Sequence, residues 1–270
     1  MTTSPQRLSM LRSYTPADLL TIGNAACGTI AIFLCLDFLA TGSRRFLWIA
    51  FLLLPTALAC DVLDGYVARL NPKRQSVLGA DLDSLADVIS FGIAPAILTY
   101  AWGLSPLGRL GLAAGFLYVS AAAMRLARFN IQTGAGLDRR YFVGMPSPPA
   151  AGVLAATVYA YPGGLVDYRA ALPALAVVLV PAALMVSTIR FRSFKTFDLQ
   201  SRRPYSVLIL IAGAIVAIWA HPRAVLVVMA YTYLASAFIG IAITRFRHRD
   251  GRAVADEAPA QPPARDSAAR

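Results

Sequence analysis

The sequence contains few charged residues for its length. Asp, Glu, Lys and Arg make up 14% of its 270 residues, whereas a water-soluble domain normally carries about 25%. Cysteine is also scarce, since only Cys27, Cys35 and Cys60 are present, all in apolar segments. Their positions lack the spacing of a metal site or a disulfide framework. This composition disfavours a soluble enzyme and a disulfide-stabilised secreted domain.

Apolar residues are correspondingly abundant. They account for 57% of the chain and lie in long runs, and a helix needs about 20 of them to cross a bilayer core. The pattern therefore predicts an all-α polytopic membrane helix bundle with about eight transmembrane helices. The predicted spans are 18–40, 46–68, 79–101, 106–128, 146–162, 170–188, 204–220 and 223–243.

The formal net charge of +11 indicates contact with membrane lipids. Basic residues flank the apolar segments, where they meet anionic lipid heads. No basic patch is interleaved with aromatic residues in the way that suits single-stranded nucleic acid, so we expect no nucleic-acid partner. With eight spans, 20 of the 25 Lys and Arg residues fall on one side, which predicts that both termini are cytoplasmic.

The chain is predicted to consist of three segments. Residues 1–17 are polar and form a cytoplasmic N-terminal segment, and residues 18–245 form the transmembrane domain. Residues 246–270 are rich in Ala, Pro and charge and lack apolar runs, which is typical of a disordered tail.

Four aspartates inside the predicted spans are the strongest indication of function. Asp61 and Asp64 are three residues apart, and Asp83 and Asp87 are four apart, so each pair shares a helix face. An acid at the centre of a span costs about 2.5–3.5 kcal/mol, so two such pairs favour a functional cluster over a structural one. Asp81 points elsewhere and is interpreted as a first-turn carboxylate stabilised by the helix dipole.

Carboxylate oxygens that converge at a membrane edge repel one another unless a cation is present. Oxygen-only ligands favour Mg²⁺ or Mn²⁺ over zinc, and two such ions can clamp the oxygens of a phosphoryl displacement. Gly65 and Ala68 share the face of the first acid pair, and Gly79 lies one turn before Asp83. Such small residues allow close approach of a ligand or helix, and the neighbouring Arg69 suits a diphosphate.

These residues resemble the signature of the CDP-alcohol phosphotransferase family. The pattern is Asp-x2-Asp-Gly-x2-Ala-Arg, followed by Gly-x3-Asp-x3-Asp, and every named position is present between residues 61 and 87. The spacer 70–78 has nine residues, one more than is usual in the family. The resemblance implies a CDP-linked donor, release of CMP, two divalent metal ions and a homodimer. It implies metal ligation by Asp61, Asp64, Asp83 and Asp87, general-base action by Asp87, and a nucleotide site at Asp64, Gly65, Ala68, Arg69 and Gly79.

Four further stretches, 83–95, 125–130, 142–148 and 185–195, resemble the phosphatidylserine synthase branch of this family. This resemblance covers about residues 15–245. It implies CDP-diacylglycerol as donor and L-serine as acceptor, in a bacterial inner membrane with the active site facing the cytoplasm. Candidate serine- or phosphate-binding residues are Arg125, Arg128, Asn130, Arg190 and Arg192, although each arginine also suits contact with lipid heads.

Asn24 is a polar amide within the first predicted span and needs a partner there. It is expected either to line the nucleotide cleft or to bond to a neighbouring helix. Two functional alternatives also stay open. Within the family, the acceptor could be glycerol phosphate, inositol phosphate or choline. Outside it, a divalent-cation or proton-coupled transporter is less favoured, because transporters tend to carry acids near the midplane and internal repeats, and no repeat is visible here.

Overall fold

The computed structural model describes residues 15–70, 79–134, 141–192 and 220–236. These ranges are helical apart from loops and two short strands. The helices are α1 (Pro16–Thr41), α2 (Arg44–Leu70), α3 (Gly79–Leu107), α4 (Arg109–Gly134), α5 (Ser147–Ala160), α6 (Tyr168–Val186) and α7 (222–236), and the strands are β1 (Tyr141–Val143) and β2 (Arg190–Arg192).

The prediction of an all-α polytopic membrane protein is confirmed. Within the described ranges, α1, α2, α3, α4 and α6 are long and apolar enough to cross a membrane. Helix α5 has 14 residues and is about 21 Å long, which is shorter than the bilayer core of about 30 Å.

The number of eight spans and the side of the termini stay predictions. Residues 204–219 of the predicted span 204–220 and the tail 246–270 lie outside the described residues, as does the N-terminal segment up to residue 14. Span 223–243 is described only as far as residue 236.

Local sequence signals set the ends of α1. Thr15 caps the helix, since its hydroxyl accepts a hydrogen bond from Asp18 N while Asp18 Oδ2 accepts one from Thr15 N at 2.8 Å. Pro16 occupies the first helical position, where its missing N–H is not needed. Gly42 ends the helix with a φ of 68°, a left-handed conformation that glycine adopts without strain.

Helix α3 is the central helix of the bundle. Its apolar window is 67% buried, against 28% for the corresponding windows of α1 and α2. The stretch Val88–Ile93, directly after Asp87, is π-helical. Here α1 approaches so closely that a Cβ atom on Gly28 would lie 2.7 Å from Ser90 Cα. Glycine at position 28 therefore allows this face of α1 to pack against the acid-bearing part of α3.

The two strands form a small antiparallel ribbon that joins two loops. Tyr141 pairs with Arg192 and Val143 with Arg190. The adjoining Gly144 has a φ of 84°, and its N–H donates to Ile189 O at 2.8 Å. The ribbon therefore holds parts of two stretches singled out in the sequence, residues 142–143 and 190–192, side by side near the end of α6.

Candidate active site

Three of the four predicted acids meet between α2 and α3. Asp61, Asp83 and Asp87 each offer a carboxylate oxygen within 4.8 Å of the others. Asp61 and Asp83 are half-buried, and Asp87 is 8% exposed. The Oδ1 atom of Asp83 is buried and has no hydrogen-bond partner among the described residues. An unpaired polar atom of this kind costs free energy unless a ligand satisfies it.

This cluster fits a divalent metal ion. All of its donors are carboxylate oxygens, the ligand type that hard cations such as Mg²⁺ and Mn²⁺ prefer. A bound cation would satisfy the free oxygen of Asp83 and offset the repulsion between three like charges. Asp81, by contrast, is exposed and lies outside the cluster, in agreement with its predicted helical phase.

Helix α1 donates hydrogen bonds to two of the four acids. Thr21 Oγ1 donates a hydrogen bond of 2.7 Å to Asp64 Oδ2, and Asn24 Nδ2 donates one of 3.2 Å to Asp87 Oδ1. Thr21 and Asn24 are three residues apart, so one face of α1 contacts both acid-bearing helices. Asp64 is buried next to the cluster, and its charge acts on Asp61 and Asp83, but it is not one of the three converging carboxylates.

The role of Thr21 was missed in the sequence, although its position one turn before Asn24 was a usable signal. Asn24 is fully buried, and its Oδ1 atom has no hydrogen-bond partner among the described residues. In the structure Asn24 bonds to Asp87 on a neighbouring helix, and its place in the nucleotide cleft stays a prediction.

A buried arginine faces the acids from α4. Arg125 is 9% exposed, and its charge acts on Asp61 and Asp87. Its Nη1 atom donates to Ser147 Oγ at 3.1 Å, and its guanidinium lies 5.4 Å from the ring centroid of Phe129. Ser147 begins α5 and is fully buried. The sequence had indicated this serine only as part of the stretch 142–148 and not as a partner of Arg125, because the two residues are 22 positions apart on different helices.

Arg128, one turn after Arg125, has a different environment. Its two terminal nitrogens donate to Ser187 O and Val186 O, both at 3.1 Å. The guanidinium therefore satisfies carbonyl groups at the end of α6, which would otherwise lack helical partners.

Asn130 connects α4 to α3, since its Nδ2 atom donates to Ser84 Oγ at 2.8 Å. Arg190 and Arg192 form the ends of β2, and their side chains lie outside the described part of the structure.

The predicted nucleotide residues line the same end of the bundle. Gly65 and Ala68 are half-buried on α2, and Gly79 is half-buried at the start of α3. The exposed side chain of Arg69 folds back along α2, so that its Nη2 atom would lie 4.0 Å from a Cβ atom on Gly65. A guanidinium at this position is available to an anionic ligand at the mouth of the site.

The family model for CDP-alcohol phosphatidyltransferases matches residues 14–189. The chain therefore belongs to the CDP-alcohol phosphatidyltransferase family. The match covers all four acids together with Arg125 and Ser147.

Curated relatives indicate which members of the family this chain is similar to. A CDP-diacylglycerol–serine O-phosphatidyltransferase from Saccharomyces cerevisiae is 35% identical over 172 residues, which cover 61% of this chain and 61% of the relative. One from Helicobacter pylori is 39% identical over 148 residues, 53% of this chain and 60% of the relative. An archaetidylserine synthase from Methanothermobacter thermautotrophicus is 37% identical over 175 residues, 64% of this chain and 68% of the relative. The chain thus spans about three fifths of the length of the first two.

Proposed function

We propose that this chain transfers the phosphatidyl group of CDP-diacylglycerol to L-serine, which gives phosphatidylserine and CMP. The observation that carries the proposal is the pairing of three converging carboxylates with a buried arginine at one end of a membrane bundle. The substrates are those of the similar CDP-diacylglycerol–serine O-phosphatidyltransferases from Saccharomyces cerevisiae and Helicobacter pylori. We also infer, from the distribution of Lys and Arg and from the family resemblance, a site on the cytoplasmic side of a bacterial inner membrane and a homodimeric assembly.

The acids would bind the metal ions that contact the diphosphate of the donor. Asp61, Asp83 and Asp87 would ligate divalent cations, with Asp64 as a further ligand. Mg²⁺ or Mn²⁺ bound there, in two sites, would offset the charge of the donor's diphosphate and of the departing CMP. Thr21 orients Asp64 by its hydrogen bond, and Arg69 contributes a guanidinium to the diphosphate.

Asp87 would act as the general base. Its Oδ1 atom accepts a hydrogen bond from Asn24, which fixes the carboxylate and leaves Oδ2 to take the proton of the serine hydroxyl. The serine oxygen then attacks the phosphorus that bears the diacylglycerol group. The bond from that phosphorus to CMP breaks, and CMP leaves with the electron pair.

Arg125 and Ser147 would bind the acceptor. The Arg125 guanidinium faces the charges of Asp61 and Asp87, and its hydrogen bond goes to the neutral hydroxyl of Ser147. The carboxylate of L-serine is a suitable anion because it accepts two parallel hydrogen bonds from a guanidinium. The remaining donors of Arg125 would recognise it beside Asp87, where the reacting hydroxyl must lie.

Purified protein incubated with CDP-diacylglycerol and Mg²⁺ or Mn²⁺ tests the proposal. We expect CMP release that depends on L-serine and on the metal, and no release with glycerol phosphate, inositol phosphate or choline. Asp87→Asn should retain binding of CDP-diacylglycerol and lose turnover. Activity with another acceptor and none with serine would show that serine is not the acceptor. Near-normal activity of Asp87→Asn would exclude Asp87 as the base.

A further inference from the structure

An aromatic cluster joins α2 and α5 at the end of the bundle opposite the carboxylates. The ring of Tyr159, near the end of α5, stacks on Phe51 with a centroid distance of 4.5 Å. It also meets the ring of Trp48 edge-on at 5.0 Å. Phe51 and Trp48 lie near the start of α2. Trp and Tyr side chains are typical of the headgroup level of a bilayer, so this cluster is placed where lipid heads are.

Two arginines flank the ring of Tyr159. Arg44, the first residue of α2, lines a cleft together with Tyr159 and Trp48. Arg223, near the start of α7, holds its guanidinium 6.0 Å from the centroid of the Tyr159 ring. Three helices thus contribute to one patch, which we call the basic cleft and which consists of Arg44, Trp48, Phe51, Tyr159 and Arg223.

The basic cleft lies on the membrane face opposite the carboxylate cluster. Arg44 and Asp61 belong to the same helix, and 17 residues, or about 26 Å of helix length, separate them. This separation approaches the thickness of a bilayer core, about 30 Å. A lipid at the basic cleft would therefore come from the leaflet remote from the proposed active site.

The positive charge of the basic cleft has no counterion among the described residues. Neither Arg44 nor Arg223 forms a side-chain hydrogen bond or an ion pair within the part of the chain that the structure describes. The first turn of α2 holds no acid, and the helix dipole adds further positive potential there. Two guanidiniums around one ring are thus available to an anionic ligand, and phosphate is a group that arginine binds well.

We propose that the basic cleft binds the phosphate of an anionic phospholipid in the leaflet opposite the active site. The two guanidiniums donate charge-assisted hydrogen bonds to the phosphate oxygens, and Trp48, which is 37% exposed, lies beside the glycerol region. One lipid would then contact α2, α5 and α7 together. Since α7 lies outside residues 14–189, which the family model matches, the lipid would hold this additional helix against the family domain.

Native mass spectrometry of the full-length chain measures the binding of three probes. Phosphatidylglycerol carries a net negative charge, phosphatidylcholine carries the same phosphate with a compensating ammonium, and inorganic phosphate lacks the lipid. We expect the unaltered chain to bind one phosphatidylglycerol at least about tenfold more tightly than phosphatidylcholine. Inorganic phosphate should not compete with it at equal concentration.

Substitutions at the cleft assign the bound lipid to this position. Arg44→Gln and Arg223→Gln should each weaken the binding of phosphatidylglycerol by about tenfold, and Arg44→Lys should weaken it less because the charge remains. Arg45→Gln is the matched control, because Arg45 is the next residue of α2, is also exposed and does not line the cleft. This control should change the affinity by less than about twofold.

The melting temperature in detergent provides a second measurement. Phosphatidylglycerol should raise it for the unaltered chain and for Arg45→Gln, and should raise it less for the double variant Arg44→Gln/Arg223→Gln, because a ligand stabilises a protein only to the extent that it binds the folded state. Monodisperse elution without added lipid establishes that the variants fold.

Three results would overturn the proposal. Equal losses of affinity in Arg44→Gln and Arg45→Gln would show that the lipid responds to net charge and not to the cleft. Equal affinity for phosphatidylcholine would exclude an anionic lipid as the preferred ligand. Competition by inorganic phosphate, lost in Arg44→Gln, would assign the cleft to free phosphate instead. The proposed reaction is tested separately, since CMP release by all these variants should stay within about twofold of the unaltered rate.

Discussion

The acid side of the site, formed by Asp61, Asp83 and Asp87, differs from its basic side, formed by Arg125 and Arg128. The difference lies in whether the polar atoms have hydrogen-bond partners within the protein. On the acid side, three carboxylates converge and Asp83 Oδ1 has no hydrogen-bond partner among the described residues. On the basic side, both terminal nitrogens of Arg128 bond to main-chain carbonyls. Since buried polar groups are normally satisfied, unused capacity in the described structure marks the positions where ligands are expected.

Two arginines on the same helix, Arg125 and Arg128, also differ in their partners. They are three residues apart, yet Arg125 faces the charge of Asp61 and Asp87 while Arg128 braces the end of α6. We therefore expect Arg125 to contribute to substrate binding and Arg128 to contribute to stability. Four substitutions test this contrast between groups that are expected to contact ligands and groups that already bond within the protein.

The largest effect is expected for Asp83→Asn. The change keeps the shape of the side chain but removes a charge from the carboxylate cluster, so metal binding and stabilisation of the diphosphate should both fail. We predict a loss of CMP release on the order of a thousandfold. Electron paramagnetic resonance of added Mn²⁺ measures metal binding independently of turnover.

Asp81→Asn is the control for this change, because Asp81 is exposed on the same helix. It should leave Mn²⁺ binding and turnover within about twofold of the unaltered protein. Equal Mn²⁺ affinity in Asp83→Asn and Asp81→Asn would remove the carboxylate cluster as the metal site.

Arg125→Lys should have the next largest effect. Lysine keeps the positive charge but cannot form the paired hydrogen bonds of a guanidinium, and a hydrogen bond to a charged group contributes about 1.5–3 kcal/mol. We predict a rise in the KM for L-serine of about tenfold to a hundredfold, with little change in the KM for CDP-diacylglycerol. Initial rates at varied serine and varied donor concentrations measure the two constants. A rise confined to the donor's KM would assign Arg125 to the lipid phosphate instead.

Thr21→Val should have a smaller effect on turnover. Valine matches threonine in shape and removes the hydroxyl that donates to Asp64 Oδ2 at 2.7 Å. Loss of a group that orients a metal ligand typically costs about tenfold to a hundredfold, and we expect the lower end because Asp64 stays buried in place. A titration of activity against Mg²⁺ should show a weaker apparent metal affinity, and Thr21→Ser should restore it. An unaltered metal titration in Thr21→Val would show that Asp64 needs no orientation from α1.

The sequence predicted the acids better than their partners, for a physical reason. Helical period alone places Asp61 and Asp64 on one face and directs Asp81 away, and the structure agrees that Asp81 is exposed. Which acid joins the cluster and which bonds to Thr21 depends on the approach of α1, a tertiary contact between residues 43 positions apart. No local pattern encodes such a contact.

The same limit applies to the basic side and to the ribbon. Periodicity gives Arg125 and Arg128 nearly the same face, whereas their partners, Ser147 and the end of α6, come from other helices. Strands β1 and β2 have three residues each, too few for the alternation that predicts a strand. The end of the fifth predicted span, by contrast, was visible locally, because helix α5 ends at Ala160, just before Pro162, Gly163 and Gly164.

Arg128→Gln should have the smallest effect on catalysis and should act on stability. Glutamine cannot supply both charge-assisted hydrogen bonds to Val186 O and Ser187 O, so the carbonyls at the end of α6 lose partners. We predict a decrease of about 1–2 kcal/mol in the free energy of unfolding, measured as a lower melting temperature in detergent. The kcat and the KM for serine should stay within about twofold of the unaltered values. The contrast with Arg125→Lys is decisive, because a rise in serine KM of the same size in both variants would mean that the two arginines act on the acceptor together. Only a stability effect without a KM effect agrees with a guanidinium whose hydrogen bonds the protein already uses.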